Sequence, residues 1–232
     1  MSNPFEQEGY RAINKARLDH LESLGLPLEN KTVLEVGAGI GDHTMFYVDR
    51  GCKVTVTDGR EENVNFLHDR FEMRENVTVA LLDLEDPPEK MPTKQIVHCY
   101  GLLYHLRDPA EALAILSLCC DEMLLVETCV SHNDESHSVN EDPADVRNAV
   151  HGKGCRPSRA FIRGCLKNHF PYVYMPITQP NHPDFPTNWE HLETKNLTRA
   201  VFVASRKPLH SSELTEGFPF NQLRMESHDR TA

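Results

Sequence analysis

Lys31-Thr-Val-Leu-Glu-Val-Gly-Ala-Gly-Ile-Gly41 is the stretch that decides how this chain folds. Aliphatic and β-branched residues run straight into alternate glycines. That pattern predicts a buried strand ending in a turn tight enough to let backbone approach a ligand. In a dinucleotide-binding turn the glycines stand as G-x-G-x-x-G, which aims a helix N-terminus at a pyrophosphate. Here they stand as G-x-G-x-G behind Glu35, a tighter spacing that suits a ligand with no phosphate. A glycine turn alone is as often a fold device as a binding site, so the neighbouring strand ends carry the decision.

Upstream, residues 10–24 place apolar groups near helical spacing and predict an amphipathic helix stopped at Gly25. Downstream the chain alternates. Helices are expected over residues 42–50, 61–73 and 109–119, and strands over 53–58, 76–83, 95–100 and 123–127. Strand and helix in turn imply βαβ units and a mostly parallel sheet. Residues 128–156 are polar without a clear period and read as a loop or lid. A helix over 157–169 follows, then a strand pair, 171–178 and 198–205, joined by the Pro-rich loop 179–188. From His210 the chain is polar and is expected to fray. The predicted organisation is one domain, residues 1–208, with a lid at 128–156 and a flexible tail over 209–232.

Two further acids extend the glycine signal. Asp58 ends the second strand, where a carboxylate accepts hydrogen bonds from both hydroxyls of a ribose; the plain alternative is a turn Asp before Gly59. Asp83 ends the third strand, where it can accept from an adenine amino group while Leu84 packs on the ring; the plain alternative is a solvated loop. Together, at three consecutive strand ends, they are far more specific than any one of them.

With these residues, 31–127 resembles a class I S-adenosylmethionine (SAM)-dependent methyltransferase. Residues 35–41 match that family's glycine motif, Asp58 its ribose-binding acid and Asp83-Leu84 its adenine-binding pair. The resemblance implies an α/β, Rossmann-like, doubly wound three-layer sandwich. Its seven-stranded, mostly parallel sheet would have an antiparallel last strand, formed by residues 171–178 and 198–205. It also implies SAM as cofactor and S-adenosyl-L-homocysteine (SAH) as product. The cofactor contacts expected are Glu35, Gly37, Ala38, Gly39, Gly41, Thr44, Asp58, Gly59, Arg60, Asp83, Leu84, Tyr100, Gly101 and His105. A narrower likeness covers Cys99-Tyr-Gly-Leu-Leu-Tyr-His-Leu-Arg-Asp-Pro109, which is similar to a segment of the tRNA wobble-uridine carboxymethyltransferases. Val146-Arg147-Asn148 and Arg156-Pro157-Ser158 sit where that group has an Arg-Asn pair and a Pro-Ser helix start.

Methyl transfer is an in-line displacement with a good leaving group, so positioning dominates. A hydroxyl acceptor must also lose its proton to a base. His105, after the fourth strand, is the candidate base; a helix-cap or packing role is the alternative. Tyr104 is expected to line the sulfonium site, where an aromatic face attracts positive charge. Glu127, ending the fifth strand, either binds acceptor or caps the next segment. Arg147 either reaches the pocket or offsets Glu141, Asp142 and Asp145 on the surface. Tyr10 and Arg11 are expected to fold over the cofactor or merely to pack. His182, Phe185 and Trp189 either border the acceptor or belong to a rigid surface loop. His132, His137 and His151 lie among Asp134, Glu135 and Glu141, but their spacing fits no compact ligand pattern, so no metal is expected.

Hydrophobic residues make up 39% and charged residues 25% of 232, an ordinary globular composition. No run approaches the roughly 18 apolar residues that span a bilayer, and the first residues carry no secretory pattern. Seven cysteines without CxxC spacing favour reduced thiols. A cytoplasmic protein without a membrane partner is therefore expected. A net charge of −11 speaks against gripping a phosphate backbone. The long extra N-terminal region of the wobble-uridine enzymes also has no counterpart here, so the expected partner is a small-molecule acceptor methylated on O or N. Competing readings are an RNA-modifying (carboxy)methyltransferase, a non-catalytic SAM-binding protein and an NAD-dependent oxidoreductase. The last predicts a G-x-G-x-x-G turn, which the sequence lacks.

Overall fold

The computed structural model describes residues 5, 7–133, 135–192 and 197–226. Helix α1 (Glu8–Ser23) buries Ile13, Ala16, Arg17, His20 and Leu21, one helical stripe, and its chain reverses at Gly25 with φ +61°. Strand β1 (Thr32–Glu35) follows, then a turn into the short α2 (Thr44–Val48), β2 (Lys53–Asp58), α3 (Glu61–Phe71), β3 (Val77–Leu81) and β4 (Lys94–Tyr100). A 3-10 turn, Leu103–His105, leads to α4 (Pro109–Leu118), started by Pro109 and by Asp108 accepting from the Ala110 and Glu111 N–H groups. Strand β5 (Cys120–Val130), the hairpin β6 (His137–Asn140) and β7 (Lys153–Arg156), α5 (Arg159–His169), β8 (Tyr172–Pro176), β9 (Thr178–Gln179), β10 (Thr198–Ser205), β11 (Leu214–Thr215) and β12 (Leu223–Arg224) complete the chain.

The main sheet runs β11-β8-β10-β5-β4-β1-β2-β3. β1 through β5 pair in parallel, while β10 lies antiparallel between β5 and β8. Successive side chains of one strand face opposite layers. Leu124, Val126, Phe202 and Ala204 pack under α4 and α5, while Met123, Leu125, Val201 and Val203 pack under α1 and α2. That period of two builds the three layers. The doubly wound sandwich with its antiparallel strand is as expected, with one difference: β11 adds an eighth, two-residue edge strand against β8.

Two other expectations differ. The segment 128–156 is not all loop, because β5 continues to Val130 and β6 pairs antiparallel with β7. The region after residue 209 is not an unpaired tail where it is described. Leu214 and Thr215 pair with β8, Leu223 and Arg224 pair with β9, and Gln222 is buried with its side chain bonded to Gln179 and Trp189. Such short pairings show no hydrophobic period in the sequence. Residues 227–232 of the expected tail lie outside the described residues, as does Asp134 of the expected lid.

Candidate functional site

The order of strands reverses between β1, whose next strand lies on one side, and β4, which lies on the other. Ligands in such sheets sit beyond the carboxyl ends of the strands at this point. There the structure has a cavity of about 330 Å³, within the range of small-ligand sites. Gly37 and Gly39 form its floor, with φ of +65° and +57°. A methyl group added at Gly39 would stand 3.0 Å from the Phe5 ring, so backbone closes this wall without side-chain bulk. Gly41 serves packing instead: a side chain there would meet Phe71 and Leu67 of α3.

Asp58 enters from the end of β2. One of its carboxylate oxygens accepts the Gly39 N–H at 2.8 Å; the other accepts the Arg60 N–H and the Asn63 side-chain amide, each at 3.0 Å. Burial raises its pKa, and these three donors oppose that. The bonds hold the carboxylate in one orientation and leave acceptor capacity for a hydroxyl. Asp83 and Leu84 line the opposite wall beside Gly59, Arg60 and Gly101. Asp83 accepts the Glu85 N–H and meets His151 Nε2 at 2.7 Å. The chain between β6 and β7 thus lies over this wall, fixed again where Arg60 donates to the Asn148 and Ala149 carbonyls.

Tyr10, Tyr104, His105, Glu141, Arg156 and Arg199 line the same cavity. His105 Nδ1 lies 2.5 Å from Glu141 Oε2. Arg156 and Arg199 approach the Tyr104 ring, with their guanidinium carbons 5.2 and 5.0 Å from its centroid. Arg147 also lines the cavity, but it chelates Asp145 with 3.0 and 2.7 Å bonds, as a surface pair would.

Several expected residues stand outside this cavity. Glu127 is fully buried between Arg17 at 2.6 Å and Arg199 at 3.1 Å, so it anchors Arg199 and is not free to meet an acceptor. Glu35, Ala38 and Tyr100 border a small void of about 10 Å³ behind the glycine turn, together with Arg17, His43 and His98. Burial raises the Glu35 pKa to about 7, against the hydrogen bond donated by Thr44 at 2.7 Å. Of the first helix, Tyr10 reaches the cavity while Arg11 faces an outer groove with Phe66 and Arg70. Phe185 is core and Trp189 stacks on Arg159, while Asp184 of the Pro-rich loop comes 3.5 Å from Arg199 Nε. Among the described residues no group of His, Cys, Asp and Glu is placed to hold a metal ion, and no helix is long and apolar enough to cross a membrane.

Sequence reasoning missed Arg199, Arg156, Asn63 and Glu141. Arg199 carried a signal, a lone cation at the head of the apolar run Ala200-Val-Phe-Val-Ala204 within one predicted strand. A charge on a buried strand needs a buried partner.

Comparison with known proteins agrees with this geometry. Residues 33–120 match the sequence profile of a methyltransferase domain. A stretch of 97 residues is 32% identical to the tRNA U34 carboxymethyltransferase of Helicobacter pylori, covering 39% of this chain and 36% of that protein. Over 126 residues the chain is 33% identical to the Pseudoalteromonas translucida tRNA U34 carboxymethyltransferase, covering 51% and 37%. The chain thus spans little more than a third of the length of these curated relatives. Among solved structures, it is similar to the N-terminal domain of EvdMO1 in the presence of SAH and D-fucose: TM-score 0.65, 19% identity, 87% of this chain and 84% of that one. It is also similar to the SAH-bound 1,6-didemethyltoxoflavin-N1-methyltransferase of Burkholderia thailandensis: TM-score 0.57, 15% identity, 88% and 80%. The fold, the switch-point cavity and the profile matched over residues 33–120 are consistent with one another and with a methyltransferase domain.

Proposed function

We propose that the protein is a SAM-dependent methyltransferase that moves a methyl group to an O or N atom of a small-molecule acceptor. One observation carries this reading: the glycine turn, the oriented Asp58 carboxylate, the Asp83-Leu84 pair, His105 and Tyr104 all line one cavity. Asp58 would accept from the ribose hydroxyls, and Asp83 from the adenine amino group while Leu84 covers the ring. Tyr104 would face the sulfonium. The protein's task is then to align acceptor, methyl carbon and leaving sulfur and to exclude water. The lid over residues 141–151 supports water exclusion, since it closes on both Asp83 and His105.

Calorimetry tests this. SAM and SAH should bind the full chain and NAD should not. Asp58→Ala should weaken SAH binding at least tenfold, because it removes the oriented ribose acceptor. Binding of NAD alone would overturn the reading.

A second reading is favoured by the curated relatives, which are named for modification of tRNA. Arg60, Arg147, Arg156 and Arg199 around the cavity supply cations for it, but a net charge of −11 opposes it. Filter binding of tRNA at about 150 mM salt separates the two: a micromolar or tighter complex would favour the RNA reading.

A further inference from the structure

Glu141 sits on the hairpin that covers the cavity, in a stretch whose acids look solvated in the sequence. The structure instead buries its side chain to 7% exposure and fills its carboxylate with partners. Oε2 accepts the Ala149 N–H at 2.7 Å and meets His105 Nδ1 at 2.5 Å, while Oε1 stands 3.7 Å from Arg156. The hairpin is also docked closely at this point, since a methyl group added at Gly154 would clash with the Tyr104 carbonyl oxygen. We propose that Glu141 is the positioning residue of a His–Glu pair in which His105 Nε2 takes the proton of a hydroxyl acceptor, an assignment that rests on the methyl-transfer reading above.

An ionised carboxylate only accepts hydrogen bonds, so the proton of neutral His105 resides on Nδ1 and its lone pair on Nε2. His105 lines the cavity, and in the proposed pair that lone pair is the one that meets the acceptor hydroxyl. The groups facing the ring are Glu141 and Arg156 from the hairpin, Arg199 from β10 and Tyr104 beside it. Burial lowers the His105 pKa, and the hydrogen bond and charge of Glu141 oppose that. The imidazole is therefore neutral and ready to act as a base near pH 7, with a counter-charge in place for the imidazolium that forms.

The step balances. The hydroxyl proton passes to Nε2, and an oxygen lone pair forms the bond to the methyl carbon. The breaking carbon–sulfur bond leaves its electron pair on sulfur, which becomes a neutral thioether. The imidazolium then returns its proton to water. An amine with a free lone pair needs no such base, which is why the pair points to a hydroxyl.

The test is imidazole 15N NMR on the full chain, with His105 assigned by the signal lost in His105→Gln. The wild type should show His105 in the Nδ1–H tautomer at pH 7. Glu141→Gln should retain that tautomer, because its carbonyl accepts the same bond, but should titrate at lower pH once the carboxylate charge is gone. An Nε2–H tautomer or a mixture in the wild type, or an unmoved titration in Glu141→Gln, would overturn the pair. Failure of the wild type to bind SAH would overturn methyl transfer itself, while the tautomer would still judge the pair separately.

Discussion

Glu35 begins the glycine turn, yet it presents its carboxylate to protein and not to solvent: its side chain is 2% exposed and bonded to Thr44. Burial raises its pKa from 4.5 to about 7. A carboxyl group whose folded pKa is raised binds its proton more tightly in the folded state. Stability is therefore fullest below about pH 4.5 and is lost as pH rises through about 7. The penalty at alkaline pH is on the order of 3 kcal/mol. Glu35→Gln can still accept from Thr44 and should raise Tm above pH 7, with the advantage fading toward pH 4.5; thermal melts across that window check it. An equal effect at all pH values would mean that Glu35 stays ionised when folded. This residue also shows what a sequence can reveal. Position and type were legible, because a strand ending in glycines has one geometry. Its burial was not legible, because the groups that enclose it, His43, Tyr100 and Arg17, come from three other elements.

At the scale of elements, the parallel strands were easy to read because they are buried on both faces, so they appear as β-branched runs bounded by turns. The β6–β7 hairpin was not. His137-Ser-Val-Asn140 and Lys153-Gly-Cys-Arg156 carry no alternation, since the hairpin is held by polar contacts at its ends and by backbone packed on the Leu103–His105 turn. Gly154 is the point of closest approach, and the obstruction a side chain would meet there is a backbone carbonyl that cannot rotate away. Gly154→Ala should therefore lift the hairpin from the turn at a cost of about 1–3 kcal/mol. Hydrogen exchange should rise across residues 137–156 while β1, β4 and β5 keep their protection. Exchange unchanged in the hairpin would show that the turn yields instead.

At the scale of the whole molecule, the site depends on a buried triad that joins the beginning, middle and end of the chain. Arg17 of α1 and Arg199 of β10 both pair with Glu127 of β5, and their side chains are 3%, 8% and 0% exposed. Two cations share one carboxylate, with Asp184 3.5 Å from Arg199 Nε as further compensation. Nothing local announces this arrangement, because the partners are separated by more than the length of any element. That is why Glu127 looked like a site residue, while the lone cation Arg199 could not be assigned a partner. Truncating one member of a buried ion network leaves uncompensated charge, which costs about 3–5 kcal/mol. Glu127→Ala strands two guanidiniums, so it should lower the unfolding free energy by that amount, read from the shifted denaturant midpoint, while unfolding remains a single transition, because all three elements share one sheet and its covering helix. Arg17→Met with Glu127→Met leaves one guanidinium with Asp184 nearby and should recover part of the loss. A double variant as unstable as Glu127→Ala would mean that packing, not stranded charge, sets the cost. If recovery is seen, the triad is an electrostatic joint that aligns Arg199 with the cavity from the opposite end of the chain.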